Sequence, residues 1–221
     1  NEIIVNSKDF KKNLKKKLDI KSTYIYNPII INKKLKTKTK KINKDLKILN
    51  IGRLTYQKDH MTLLRSLKLL KESAIKFKAI IIGGGYNYDI LKKYIRTNQL
   101  QKEIKLLGYK KNAHKFMNKA NLFILSSKYE GLPNVLIEAQ KHNLPIISTN
   151  CPTGPKEILL NGKLGELYPV ADYKKLFHKI KDFYFNQKYL IRKSNLSQKY
   201  LYRFNASTNC IKYLRIVKKY I

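Results

Sequence analysis

From Leu46 onward, short β-branched or apolar runs alternate with amphipathic segments, the pattern of a parallel sheet joined by crossover helices. The runs predict strands at 47–51, 77–82, 104–107, 122–125, 145–148 and 165–167. Most are continuously apolar rather than alternating, so the sheet is expected to be covered on both faces. A helix predicted over 58–72 places Leu63, Leu64, Leu67 and Leu70 on one face, with Lys and Arg opposite. Those leucines read as core, not as a cofactor-binding stripe. After Pro169 the strand signal stops, and 171–185, 187–202 and 206–220 read as basic amphipathic helices. The expected class is α/β: a parallel sheet with helices on both faces, ending in basic amphipathic helices.

The first 45 residues differ. A strand over 3–5, a lysine-rich helix over about 8–18 and a strand over 24–26 lead to Asn27-Pro28, followed by a lysine-rich stretch, 32–45, that reads as a linker. No apolar run approaches the roughly 20 residues of a membrane-spanning helix. The chain starts at Asn1, directly before a strand-like stretch, which is expected of a piece of a longer protein.

Composition sharpens the list of partners without choosing among them. The net charge of +34 favours an anionic partner: nucleic acid, a membrane surface or a phosphorylated substrate. The same Lys, Asn, Ile and Tyr bias also arises from an AT-rich coding sequence with no ligand in view. Two cysteines, Cys151 and Cys210, exclude a disulfide framework and a multi-cysteine metal site and point to a reducing, cytoplasmic compartment. His60, His114, His142 and His178 are scattered in metal-ligand terms, and Cys151 lacks a neighbouring base, so it reads as a packed thiol.

In an open parallel sheet, ligands collect at the carboxyl ends of the strands. The first strand of the alternating region runs into Gly52-Arg53-Leu54 and Gln57-Lys58. Gly52 allows close backbone approach, and Arg53 and Lys58 present two cations suited to a diphosphate without a metal. The ordinary alternative is two surface cations in a basic chain. Gly83-Gly84-Gly85 invites a dinucleotide-binding reading that fails: the third glycine of G-x-G-x-x-G would fall at Tyr88, and Leu107-Gly108-Tyr109-Lys110 ends the next strand without an acid. The turn either lets backbone amides approach a donor substrate or is a tight strand-to-helix connection. The most informative stretch is Glu130 to Ala139. Pro133 suits the first turn of a helix whose free amides at Asn134, Val135 and Leu136 would receive phosphate oxygens. Glu138 can accept two hydroxyls, as a ribose diol offers, and Glu130 can reach the group beyond the diphosphate. Against this stand a helix-dipole role for Glu130 and a solvated position for Glu138.

Taken together, these segments resemble the C-terminal half of a GT-B glycosyltransferase of family 4, the retaining, sugar-nucleotide-dependent group. The likeness covers about Ile25 to Asp172 and rests on seven elements in order: Tyr26-Asn27-Pro28, Gly52-Arg53-Leu54 with Gln57-Lys58, Ile82-Gly83-Gly84-Gly85, Leu107-Gly108-Tyr109, the pair Glu130 and Glu138, Cys151 to Glu157, and Asn161-Gly162. It implies a Rossmann-like domain at 46–200 binding a UDP- or GDP-sugar, a C-terminal helix over 201–221, and at 1–31 the tail of a missing N-terminal acceptor domain with the interdomain crossing. It implies Glu130, Arg53 and Lys58 as catalytic groups, and Gly52, Gly84, Tyr109, Leu132, Asn134, Val135, Leu136 and Glu138 around the donor, with Tyr109 flanking the base. Glu157 either touches the donor or starts a helix. Further expectations are hexose transfer to a glycan or lipid-linked acceptor, no cofactor and no required metal, and a cytoplasmic location, peripheral at an anionic membrane surface. The rival reading is a basic nucleic-acid-binding module, disfavoured because its lysines are spread along the chain and no RNP-like aromatic strand is present.

Overall fold

A computed structural model describes residues 2–31 and 46–220; the 32–45 linker lies outside them. The alternating region forms one six-stranded, wholly parallel sheet from β3 (Leu46–Ile51), β4 (Phe77–Ile82), β5 (Ile104–Leu106), β6 (Leu122–Leu125), β7 (Ile146–Thr149) and β8 (Glu166–Tyr168), in the order β5-β4-β3-β6-β7-β8. The order runs outward from β3 in one direction and then restarts from β6 in the other. That reversal opens a crevice beyond the carboxyl ends of β3 and β6.

The sheet feeds two cores, because successive side chains leave a strand on opposite faces. Leu122 and Ile124 of β6 pack with the leucines of α2 (His60–Glu72) and with α6 (Tyr173–Phe185). Phe123 and Leu125 pack with α4 (Asn134–Lys141) and α5 (Pro155–Ile158). A helix α3 (Tyr88–Thr97) joins β4 to β5. The helix expected from 58 begins two residues later, because a 3-10 turn, Tyr56–Lys58, precedes it. Asp59, at φ 43°, ends that turn and caps α2 by accepting from the Thr62 amide. The helix expected over 187–202 divides into α7 (Gln187–Ser197) and a 3-10 segment, Gln198–Phe204, ahead of α8 (Ala206–Val217). Among the described residues, no helix is long and apolar enough to cross a membrane.

The N-terminal segment forms a parallel pair, β1 (Ile4–Val5) and β2 (Thr23–Tyr24), connected by α1 (Lys8–Leu18). It is fastened to the sheet domain by one carboxylate. Glu157 accepts the amides of Lys8 and Asp9, at 3.0 Å each, and the Tyr26 hydroxyl at 2.6 Å. A carboxylate against the first amides of α1 also meets the positive end of its dipole. Glu157 stands in the first turn of α5, the second of the two roles expected for it, and its carboxylate is spent on α1. The crossing is stitched as well: Ile29 donates to the Phe204 carbonyl, and Ala206 donates back to Ile29.

Candidate active site

The crevice is built from loops that interlock through glycine. A Cβ on Gly83 would lie 1.9 Å from the Gly52 carbonyl oxygen, and one on Gly85 would lie 2.5 Å from that of Leu54. The loops are also hydrogen-bonded: Gly52 donates to Ile82, Leu54 to Gly84, and Gly83 to Gly108. The Gly83 amide is thus committed to the neighbouring loop. The glycines of this turn therefore also serve close packing against the neighbouring loops. Gly84 stands more open: a Cβ there would meet only the Tyr109 Cβ, at 3.8 Å, and Tyr109 is exposed on the rim.

Over Gly52 lies the aliphatic stem of Lys58, and its Nζ donates to Glu130 Oε1 at 2.5 Å. Ser127 donates to the same oxygen at 2.6 Å. Both partners of the ion pair are largely shielded, with side-chain exposures of 16% and 6%, so the attraction is screened little by water. The Glu130 loop is pinned through its backbone: its amide donates to Pro152, and its carbonyl accepts from Thr153. Among the described residues, Oε2 of Glu130 has no protein donor and Arg53 stands exposed without a carboxylate. One cation of the expected pair is thus free, and the other is anchored by the first expected carboxylate.

Helix α4 starts at Asn134 with Pro133 as its N-cap and no side chain capping it. Pro133 therefore sits one place earlier than expected. Its carbonyl accepts the Leu136 amide at 3.0 Å. That corrects the expectation of three free amides: Leu136 is satisfied internally and its side chain is in the core, as is that of Leu132. The amides of Asn134 and Val135 remain the ones that can meet a phosphate. The Asn134 side chain is held by Asn27 of the crossing segment, at 2.8 Å. Glu138 is half-buried on the same helix, and burial pushes its carboxyl above the ordinary value, against the pull of Lys141 and His114.

Three neighbours escaped sequence reasoning. Ser127 gave no signal beyond following a strand. His114 faces Glu138 and stacks on His142, with ring centroids 6.5 Å apart, although nothing in their spacing joins them. Across from Glu130, Phe10, Leu14 and Lys17 of α1 line a cavity of about 370 Å³ shared with Pro152 and Thr153. Cys151 is buried as expected, and burial pushes its thiol up to about 11, so little thiolate forms near neutrality.

Comparison with known proteins decides what this crevice belongs to. The model of the family "Glycosyl transferases group 1" matches residues 32–199. The chain belongs to that family. An uncharacterized glycosyltransferase of Methanocaldococcus jannaschii is 46% identical to this group 1 chain over 129 residues, covering 58% of the chain and 32% of the relative. A Campylobacter jejuni enzyme named as an N-acetylgalactosaminyltransferase acting on a diphospho-undecaprenol-linked sugar is 33% identical over 138 residues, covering 62% and 37%. The group 1 chain thus spans less than two-fifths of either relative's length. Among solved structures, Staphylococcus aureus TarM in complex with UDP, fondaparinux and α-GlcNAc-glycerol superposes with a TM-score of 0.86 at 20% identity, covering 97% of this chain and 43% of that one. Anabaena HepE with UDP and glucose gives 0.83 at 18%, covering 99% and 63%. The fold is that of the Rossmann-like domain of GT-B glycosyltransferases.

Proposed function

We propose that this domain holds the nucleoside diphosphate sugar donor of a family 4, retaining hexosyltransferase. The observation that carries the reading is the convergence of Arg53, the Lys58–Glu130 pair and the open start of α4 at the reversal point of the sheet. Departure of the diphosphate builds negative charge while the sugar becomes oxocarbenium-like. Lys58 and the amides of Asn134 and Val135 are held where that charge would grow, and Arg53, unpaired among the described residues, is free to turn onto it, so together they stabilise the transition state. Glu138 accepts the ribose hydroxyls, Tyr109 flanks the base, and Glu130 offers Oε2 to the transferred sugar while Lys58 and Ser127 hold Oε1. The complexes of TarM with UDP and of HepE with UDP and glucose support the donor class. The lipid-diphosphate acceptor in the Campylobacter enzyme's name supports a glycan or lipid-linked acceptor; an N-terminal acceptor-binding domain and a cytoplasmic site of action are part of the same proposal. The nucleic-acid reading has the net charge and the sixteen tyrosines in its favour, but no clustering of either on one element. Calorimetric titration with UDP-glucose and GDP-mannose tests the proposal, and heat from neither would overturn it.

Metal independence belongs to the same reading, because two cations and two helix amides serve the diphosphate. Donor affinity is expected to be equal in EDTA and in Mg²⁺. Binding that vanishes with chelator and returns with Mg²⁺ or Mn²⁺ would remove Arg53 and Lys58 from that role.

A weak, peripheral association with anionic membranes is a separate proposal, resting on the lysines of α6. Lys174 and Lys175 are exposed, whereas Lys179 is drawn into an ion pair with Glu166 and Lys181 lies over the Phe177 ring. Two free lysines at about 1 kcal/mol each give a weak, salt-sensitive attachment. Cosedimentation with phosphatidylserine vesicles should be detectable at low salt and lost at high salt; sedimentation unchanged by salt would contradict it.

A further inference from the structure

We propose that a groove at the amino ends of β3, β4 and β5, the end of the sheet opposite the donor crevice, binds one molecule of an anionic lipid. The groove encloses about 590 Å³, within the range of pockets that hold drug-sized ligands. It exists because the two faces of these strands are covered unequally. On one side Ala79 and Ile81 of β4 pack with the apolar residues of α2 and α3. On the other, the connection from β5 to β6 supplies, among the described residues, a six-residue 3-10 segment, Ala113–Asn118, and no α-helix. Ile80 and Phe116 are left partly exposed as the apolar floor.

Strand register then sets a cationic rim. Lys47 lies beside Lys78, and Ile80 beside Lys105. With a period of two along each strand, these four share one face. Lys119 joins them from the end of the 3-10 segment. Neighbouring strands stand about 4.8 Å apart, so Lys47 and Lys78 form a like-charged cross-strand pair, which costs stability unless an anion joins them. All four lysines are exposed, and among the described residues none of them forms an ion pair. Lys78 donates to the Lys102 carbonyl at 2.6 Å, a contact that leaves its charge uncompensated. The one acid in the described lining, Glu103, is paired with Lys71 at 3.5 Å.

The occupant follows from this combination. An inorganic anion would meet the lysines and leave the apolar floor in water. A neutral hydrocarbon would cover the floor and leave the lysines facing one another. A phosphate head carrying a hydrocarbon chain satisfies both, with the lysine stems as walls and their ammonium groups at the rim. The floor is recessed between the lysines, so a single lipid molecule can enter it, whereas a flat bilayer surface would touch only the rim.

Amide-resolved NMR titration of this chain with dodecyl phosphate, kept below its micellar concentration, tests the site. Saturable shifts are expected at Lys47, Ile80, Lys105 and Lys119, with Gly52, Arg53 and Asn134 unmoved. Octyl phosphate, dodecyl maltoside and inorganic phosphate should each bind at least about tenfold more weakly, since each lacks part of the chain or the charge. Lys47→Glu and Lys105→Glu should each weaken dodecyl phosphate about tenfold. Lys47→Glu also replaces a like-charged pair with an opposite one, so its melting temperature should match or exceed that of the parent, which separates lost binding from lost folding. Parent-like affinity in both variants, or any of the three comparison ligands binding as tightly as dodecyl phosphate, would overturn the proposal. Shifts confined to Gly52, Arg53 and Asn134 would place the lipid in the donor crevice and overturn it as well.

Discussion

Glu138→Gln is expected to weaken nucleoside diphosphate binding roughly 10- to 100-fold, because charge-assisted hydrogen bonds contribute about 1.5–3 kcal/mol each. Glutamine keeps the size but offers one weaker acceptor and an amide that cannot accept a ribose hydroxyl. The position is half-buried, so water compensates poorly for the loss. Acid should mimic the substitution. Burial raises the Glu138 carboxyl, so the accepting, ionised form is present above that raised value and is lost as pH falls through it. Nucleotide affinity should therefore begin to fall at a higher pH than an ordinary carboxylate would dictate, and the Glu138→Gln variant should show no such step. Glu130→Gln should behave in the opposite way. It releases Lys58 from its ion pair, so free UDP or GDP should bind as well as to the parent or slightly better, while the proposed sugar transfer, assayed in the full-length protein, collapses. Titrating both variants with nucleoside diphosphate, with circular dichroism as the folding control, decides the assignment. Parent-like binding by Glu138→Gln, or equal losses in both, would sink it.

Gly154→Ala is expected to be the most damaging small substitution near the site. Gly154 has φ +90°, which side-chain-bearing residues rarely adopt. A Cβ there would lie 2.2 Å from the Gly131 carbonyl oxygen and 2.8 Å from Pro133 Cδ, a backbone atom and a ring that cannot swing aside. Backbone strain and overpacking each cost about 1–3 kcal/mol, so a loss of roughly 2–6 kcal/mol follows. In a domain of this size that lowers the melting temperature by about 4–24 °C. The displaced groups carry Glu130 on one side and the start of α4 on the other, so nucleotide affinity should fall with stability. Gly108→Ala is the control. Gly108 also has positive φ, at +65°, but a Cβ there meets nothing within 4 Å. It should cost only about 1–2 kcal/mol and leave affinity intact. Equal losses from the two substitutions would show that backbone conformation, and not the contact of the 131 and 154 loops, governs the site.

What the sequence by itself determined is what depends on neighbours along the chain. The apolar runs that became β3, β4 and β6, the leucines of α2, and the turns carrying Arg53, Gly84 and Glu130 announce themselves within windows of a few residues, because strand and helix periodicities are local properties. Their parallel order follows from alternation alone. The short 3-10 segment Ala113–Asn118 has no such period and went unseen. The occupation of each functional atom was settled only by the tertiary structure. Lys58 meets Glu130 across 72 residues, Asn27 meets Asn134 across 107, and Glu157 meets the first turn of α1 across 149. A carboxylate's role depends on which donors stand within about 3 Å of it, and no local pattern encodes which distant loop will bring them there. That is why Glu157, unremarkable beside Glu130 in the sequence, ties α1 to the domain, while Glu130 keeps one oxygen without a protein donor among the described residues.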